Sequence, residues 1–156
     1  MKHSLVTCIL ISCCLQTPAL VAEGYSLGIG VGHLYSGLGI NYTKHLNRSQ
    51  AYASLGCMAA ATHSSNNDIE TVCGIGLGYI RTHLFSASDK HGIGLSTGVY
   101  RNTDADENEY ILGPTYTFFM NGVNNPGWSF GVMPYMSKVS GQDTDYEVMF
   151  NLGYQL

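Results

Sequence analysis

The sequence predicts an all-β fold, an eight-stranded antiparallel up-and-down transmembrane β-barrel. Three observations carry this expectation. After residue 22, large apolar and small residues alternate with period two along almost the whole chain. Eight such segments, each roughly nine to twelve residues long, are separated by short polar turns. Charged residues make up only 12%, about half the share of an ordinary soluble domain, while 19 glycines and 11 tyrosines are present.

The first 22 residues stand apart from the alternation. Lys2 supplies a positive start, Leu5 to Leu15 is apolar or small throughout, and the segment ends on Ala22. This reads as a secretory signal peptide (1–22) cut after Ala22, with Ala19 as a second cleavage point. Cys8, Cys13 and Cys14 fall inside it and belong to targeting rather than to a disulfide framework. Leu10-Ile11-Ser12-Cys13 also resembles a lipobox, so lipidation at Cys13 stands as an alternative, although it leaves a very short signal. The apolar run is too short to cross a bilayer as a helix.

The barrel is expected over residues 23–156, with strands near 24–32, 36–44, 50–61, 71–82, 91–101, 108–120, 127–138 and 145–156. In the first, Tyr25, Leu27, Ile29 and Val31 alternate with Ser26, Gly28, Gly30 and Gly32. The second sets Leu38, Ile40 and Tyr42 against Gly37, Gly39 and Asn41. Glycine at this density makes a helical reading costly.

The third and fourth segments fix their own pairing. A hairpin centred on Ser65 sets Leu55 opposite Ile75, Cys57 opposite Cys73, Ala53 opposite Leu77 and Ala51 opposite Tyr79. It also puts Tyr52, Ser54 and Gly56 opposite Gly78, Gly76 and Gly74 on the other face. A slip of one residue would invert a strand. Cys57 and Cys73 are the two cysteines outside the signal, so this register makes them a disulfide candidate in an oxidising compartment. The fifth and sixth segments pair in the same way, Thr97 with Leu112 and Ile93 with Tyr116. The last strand alternates Tyr146, Val148, Phe150, Leu152 and Tyr154 with Glu147, Met149, Asn151, Gly153 and Gln155.

Two faces result. One is apolar. The other holds Gly, Ser, Thr, Asn, Met and Tyr with almost no charge, because the Lys and Glu residues lie in the turns. A soluble periplasmic lipocalin-like barrel, the structural rival, would turn that second face to water, and it is wrong for water. Lipid on the apolar face and a filled, narrow interior fit better. Tyr25, Tyr42, Tyr79, Tyr110, Trp128, Tyr146 and Tyr154 lie near strand ends, where interfacial aromatic girdles form. Tyr52, Met58, Met133, Tyr135 and Met149 point inward, and Glu109 and Glu147 add the interior charge.

Residues 23–156 resemble the small eight-stranded outer-membrane barrels, the OmpA transmembrane domain and OmpX type. The resemblance rests on pattern, strand count and the ending Phe150-Asn151-Leu152-Gly153-Tyr154-Gln155-Leu156. It implies a bacterial outer-membrane location, recognition of the last strand by the barrel-assembly machinery, contact with outer-membrane lipids and lipopolysaccharide, and a monomer. Family members usually end on Phe or Trp, where this chain has Leu156. The same resemblance puts both termini in the periplasm and the odd-to-even hairpins outside. Those loops hold Asp68, Glu70, Asp104, Asp106, Glu107, Glu109, Asp143 and Asp145 against Arg101 and Lys138, whereas the opposite turns hold Lys44, Arg48, Arg81 and Lys90 against Asp89.

Once Lys2 leaves with the signal, six basic residues face eleven acidic ones. That balance argues against a nucleic-acid partner. One motif raises an enzyme reading. His63-Ser64-Ser65-Asn66 resembles the His-x-Ser-Asn motif of the lipid A deacylase barrels, with His63 as base, Ser65 as nucleophile and Glu70 as orienting acid. That family carries its motif in a late strand and its Glu farther on, so a polar turn rich in Ser and Asn accounts for these residues better. The run Asp104 to Glu109 lacks the spacing of a calcium loop and reads as a solvated turn. No histidine pair has metal-ligand spacing. Gly28 to Gly32 leads into no helix and is no nucleotide loop. The expectation is therefore a non-enzymatic outer-membrane barrel without cofactor, acting in the cell envelope through a ligand the sequence leaves open.

Overall fold

The computed structural model describes residues 24–61, 69–84, 87–102, 107–139 and 143–156. Eight strands follow one another: β1 Tyr25–Gly32, β2 Gly37–Leu46, β3 Ser49–Ala61, β4 Ile69–Thr82, β5 His91–Asn102, β6 Glu107–Phe119, β7 Gly127–Val139 and β8 Thr144–Gln155. Each pairs antiparallel with its sequence neighbours, and β8 closes on β1. The signal segment lies outside the described residues.

The hairpin registers are those the two-face argument requires. Leu55 meets Ile75, Cys57 meets Cys73 and Tyr52 meets Gly78. Thr97 meets Leu112 and Ile93 meets Tyr116. The apolar face of every strand points away from the lumen: Leu38, Leu55, Ile75, Leu77, Leu95 and Phe150 are all exposed. A lipocalin-type arrangement, with that face inside, is not what this chain forms.

Closure sets the barrel's dimensions. A circuit along paired residues runs from Ile29 through Ile40, Leu55, Ile75, Val99, Tyr110 and Lys138 to Thr144. Ile29 itself pairs with Tyr154, so one turn accumulates a stagger of ten residues. Eight strands with that stagger tilt by about 40° and enclose a radius of about 8 Å. Side chains fill a lumen of that size.

The first hairpin is the irregular part. β1 ends at Gly32, well short of the height β8 reaches, and the two pair only over Gly28–Val31 and Leu152–Gln155. The chain then turns inward as a single 3-10 turn, His33–Tyr35, instead of outward as a loop. Gly32 permits this. Its φ is 101°, and a Cβ there would lie 1.8 Å from the Phe150 carbonyl oxygen, so no other residue fits. Ser36 completes the turn in the left-handed region.

Candidate functional site: an apolar belt around a plugged lumen

The outer surface is built by the alternation itself. Between Lys44, Arg81 and His91 near one end and Arg101, Asn108 and Lys138 near the other, the outward positions carry no charged side chain. The ten steps from Trp128 to Lys138 along β7 span about 25 Å of barrel height at this tilt. Aromatic residues mark both edges. At the end holding the termini, Tyr25 stacks on Tyr42 with centroids 5.4 Å apart, and Trp128 meets Tyr154 edge-on at 5.5 Å. Lys44 lies over the Tyr25 ring at 5.7 Å, and His91 Nδ1 is hydrogen-bonded to the Tyr116 hydroxyl at 2.8 Å. At the opposite edge, Tyr110 pairs with Lys138 and Tyr146 with Met136.

The lumen is closed at three levels. Near the termini, Val123 from the β6–β7 turn is fully buried against Ile80 and Phe119. The Asn124 side-chain amide donates to the Asn47 carbonyl and ties that turn to the β2–β3 turn across the mouth. Above this sits the inward turn. His33, Leu34, Tyr35 and Ser36 are all buried, and each of the polar three bonds to a different strand. His33 Nε2 is hydrogen-bonded to Thr115 Oγ1 at 2.6 Å, the Tyr35 hydroxyl to Ser129 Oγ at 3.3 Å and Ser36 Oγ to Ser54 Oγ at 2.7 Å. These are β6, β7 and β3, so the turn is fixed across the barrel, not against one wall. Gly153 leaves room for it: a Cβ there would lie 2.2 Å from Tyr35 Cζ. Tyr52 reaches Ser96 Oγ at 2.5 Å in the same layer.

The third level, toward the β3–β4 hairpin, is formed by Tyr100, Ile111, Met133 and Tyr135, with Met58, Val72 and Met149 packed against them. Here Tyr135 donates from its hydroxyl to Glu147 Oε2 at 2.5 Å. Tyr52, Met133 and Tyr135 therefore fill the interior as their alternation requires. The plug residues 33–36 were not anticipated, because a short stretch between two strands reads as a surface turn. Their one signal was the set of flanking and facing glycines, which left space that no strand side chain occupied.

Cys57 and Cys73 face each other across β3 and β4 with Cα atoms 3.9 Å apart, and their sulfurs are bonded. The bridge lies on the outward face, beside the hairpin end. His63 and Ser65 lie outside the described residues, so the motif acquires no geometry, and Glu70 is placed only by its backbone pairing with Ala60. Among the described residues no group of three or more His, Cys, Asp or Glu side chains is arranged to hold a metal ion. No family profile, characterised protein or solved structure matches the chain.

Proposed function

We propose that this chain is an outer-membrane β-barrel of the bacterial cell envelope, exported through a cleaved signal peptide, with a structural or surface role and no catalytic or conducting one. The outward belt carries the reading. A continuous apolar surface about 25 Å high, edged by aromatic and cationic residues, matches the hydrocarbon layer and its interfaces. Soluble monomers rarely expose apolar patches of this extent. In lipid, where nothing replaces a missing backbone partner, closure of β8 on β1 removes most of the sheet edge. The three closed levels of the lumen argue against a pore. The partners that follow are outer-membrane lipids, including lipopolysaccharide, and the barrel-assembly machinery during insertion. Fractionation of bacteria expressing the full chain tests the reading. The mature protein, starting near Glu23, is expected in the outer membrane with heat-modifiable gel mobility. Recovery from the soluble periplasm would refute it.

A further inference from the structure

The β6–β7 seam is interrupted where the other seams pair without a break. Glu109–Leu112 pairs with Val139–Met136 and Tyr116–Phe119 with Val132–Ser129, but the residues between them do not pair. The register sets Pro114 opposite Pro134 in that gap. Neither has an N–H, so two ladder bonds are missing at mid-height in the wall. Both rings face outward and are compact. Leu95 and Leu112 rise on one side of them and Met136 and Val148 on the other, leaving an outward-open groove of about 450 Å³. Its lining is almost wholly apolar side chain. Glu147 backs it, but that carboxylate is turned into the lumen and held by Tyr135.

The groove has a polar end. Tyr146 closes it toward the β3–β4 hairpin side, next to its pair Met136. The following outward residue on β7 is Lys138, paired with Tyr110. A cation and a phenol, Lys138 and Tyr110, thus stand one outward position, roughly 7 Å, beyond Met136 and Leu112, and Tyr146 adds a second phenol at the rim of the cleft. A hydrocarbon tail joined to a phosphate has that pattern of apolar length and terminal anion.

We infer that the β6–β7 groove holds one acyl chain of a phosphate-bearing lipid, with Lys138 meeting the phosphate. This rests on the membrane reading and deepens it from general solvation by lipid to a defined lipid site. Facing prolines create the cleft, and the lipid chain fills a wall that the backbone leaves unpaired.

Native mass spectrometry of the folded protein released from nanodiscs containing phosphatidylglycerol tests the site. Parallel nanodiscs carry diacylglycerol with the same chains. The wild type is expected to retain a phosphatidylglycerol adduct and no diacylglycerol. Pro134→Leu fills the groove floor and restores a donor; Lys138→Gln removes the cation at an exposed position without touching the wall. Both are expected to lose the adduct while still floating with lipid vesicles. An adduct that survives in Lys138→Gln, or a wild type that floats but retains no lipid, overturns the site and leaves the membrane reading standing. A wild type that does not float overturns both.

Discussion

Leu77→Arg separates a lipid-facing belt from a water-facing one, because the two environments give opposite expectations for the same substitution. Leu77 is 59% exposed and lies opposite Ala53 on β3 and Thr97 on β5, with Ile75 and Tyr79 as its outward neighbours along β4. The nearest outward charge on its own strand is Arg81, about 10 Å lower along the barrel axis at a tilt near 40°. In water, an arginine at so exposed a site changes stability by no more than about 0.5 kcal/mol, and it relieves an apolar patch. In hydrocarbon it costs roughly 2–4 kcal/mol, with the lower part of that range reached if the guanidinium snorkels toward the Arg81 end. That cost corresponds to a fall of about 30- to 700-fold in the folded-to-unfolded ratio. Refolding into phosphatidylcholine vesicles across a denaturant series reads it directly. Trp128, the single tryptophan, reports by fluorescence and gel mobility reports folding independently. Equal midpoints for wild type and Leu77→Arg would show that the apolar face does not meet lipid, and the reasoning from the belt would fail.

Other outcomes follow from particular contacts. Thiol labelling of the denatured, unreduced mature protein should find no reactive cysteine, whereas two labelled thiols would exclude the Cys57–Cys73 bridge. The bridge closes a loop of about fifteen residues, so reduction should cost roughly 3 kcal/mol by the chain-entropy argument. Purified protein in planar bilayers should give no stable channel steps, because Val123, the Tyr35 layer and the Met133 layer each fill the lumen. Reproducible steps would contradict this. Gly153→Ala sets a methyl 2.2 Å from Tyr35 Cζ and should destabilise the barrel by about 1–3 kcal/mol through overpacking. Pairing it with Tyr35→Ala should remove most of that penalty; a penalty that persists in the double variant would place the strain elsewhere.

Much of the architecture was legible in the chain. Strand limits, the β3–β4 and β5–β6 registers and the outward direction of Leu55, Ile75 and Leu77 follow from period-two alternation, because a strand with two unlike faces tolerates no slip. The Cys57–Cys73 pairing was legible for the same reason: it needed only a hairpin centre and two strands. The candidate chemistry at His63 and Ser65 was legible only as a pattern, since its geometry depends on loop conformation that alternation does not set. Tertiary structure alone decided three things. The stagger of ten depends on where β8 meets β1, a contact between the two ends of the barrel that no local pattern records. The inward course of His33 to Ser36 depends on space left by Gly153 and on partners at Thr115 and Ser129, which reach one point only when the barrel closes. The facing of Pro114 and Pro134 depends on the β6–β7 register, and each proline alone reads as an ordinary interruption. Local periodicity fixes which face a residue takes; the positions of residues distant in sequence are fixed by closure, because only the completed ring brings them within contact distance.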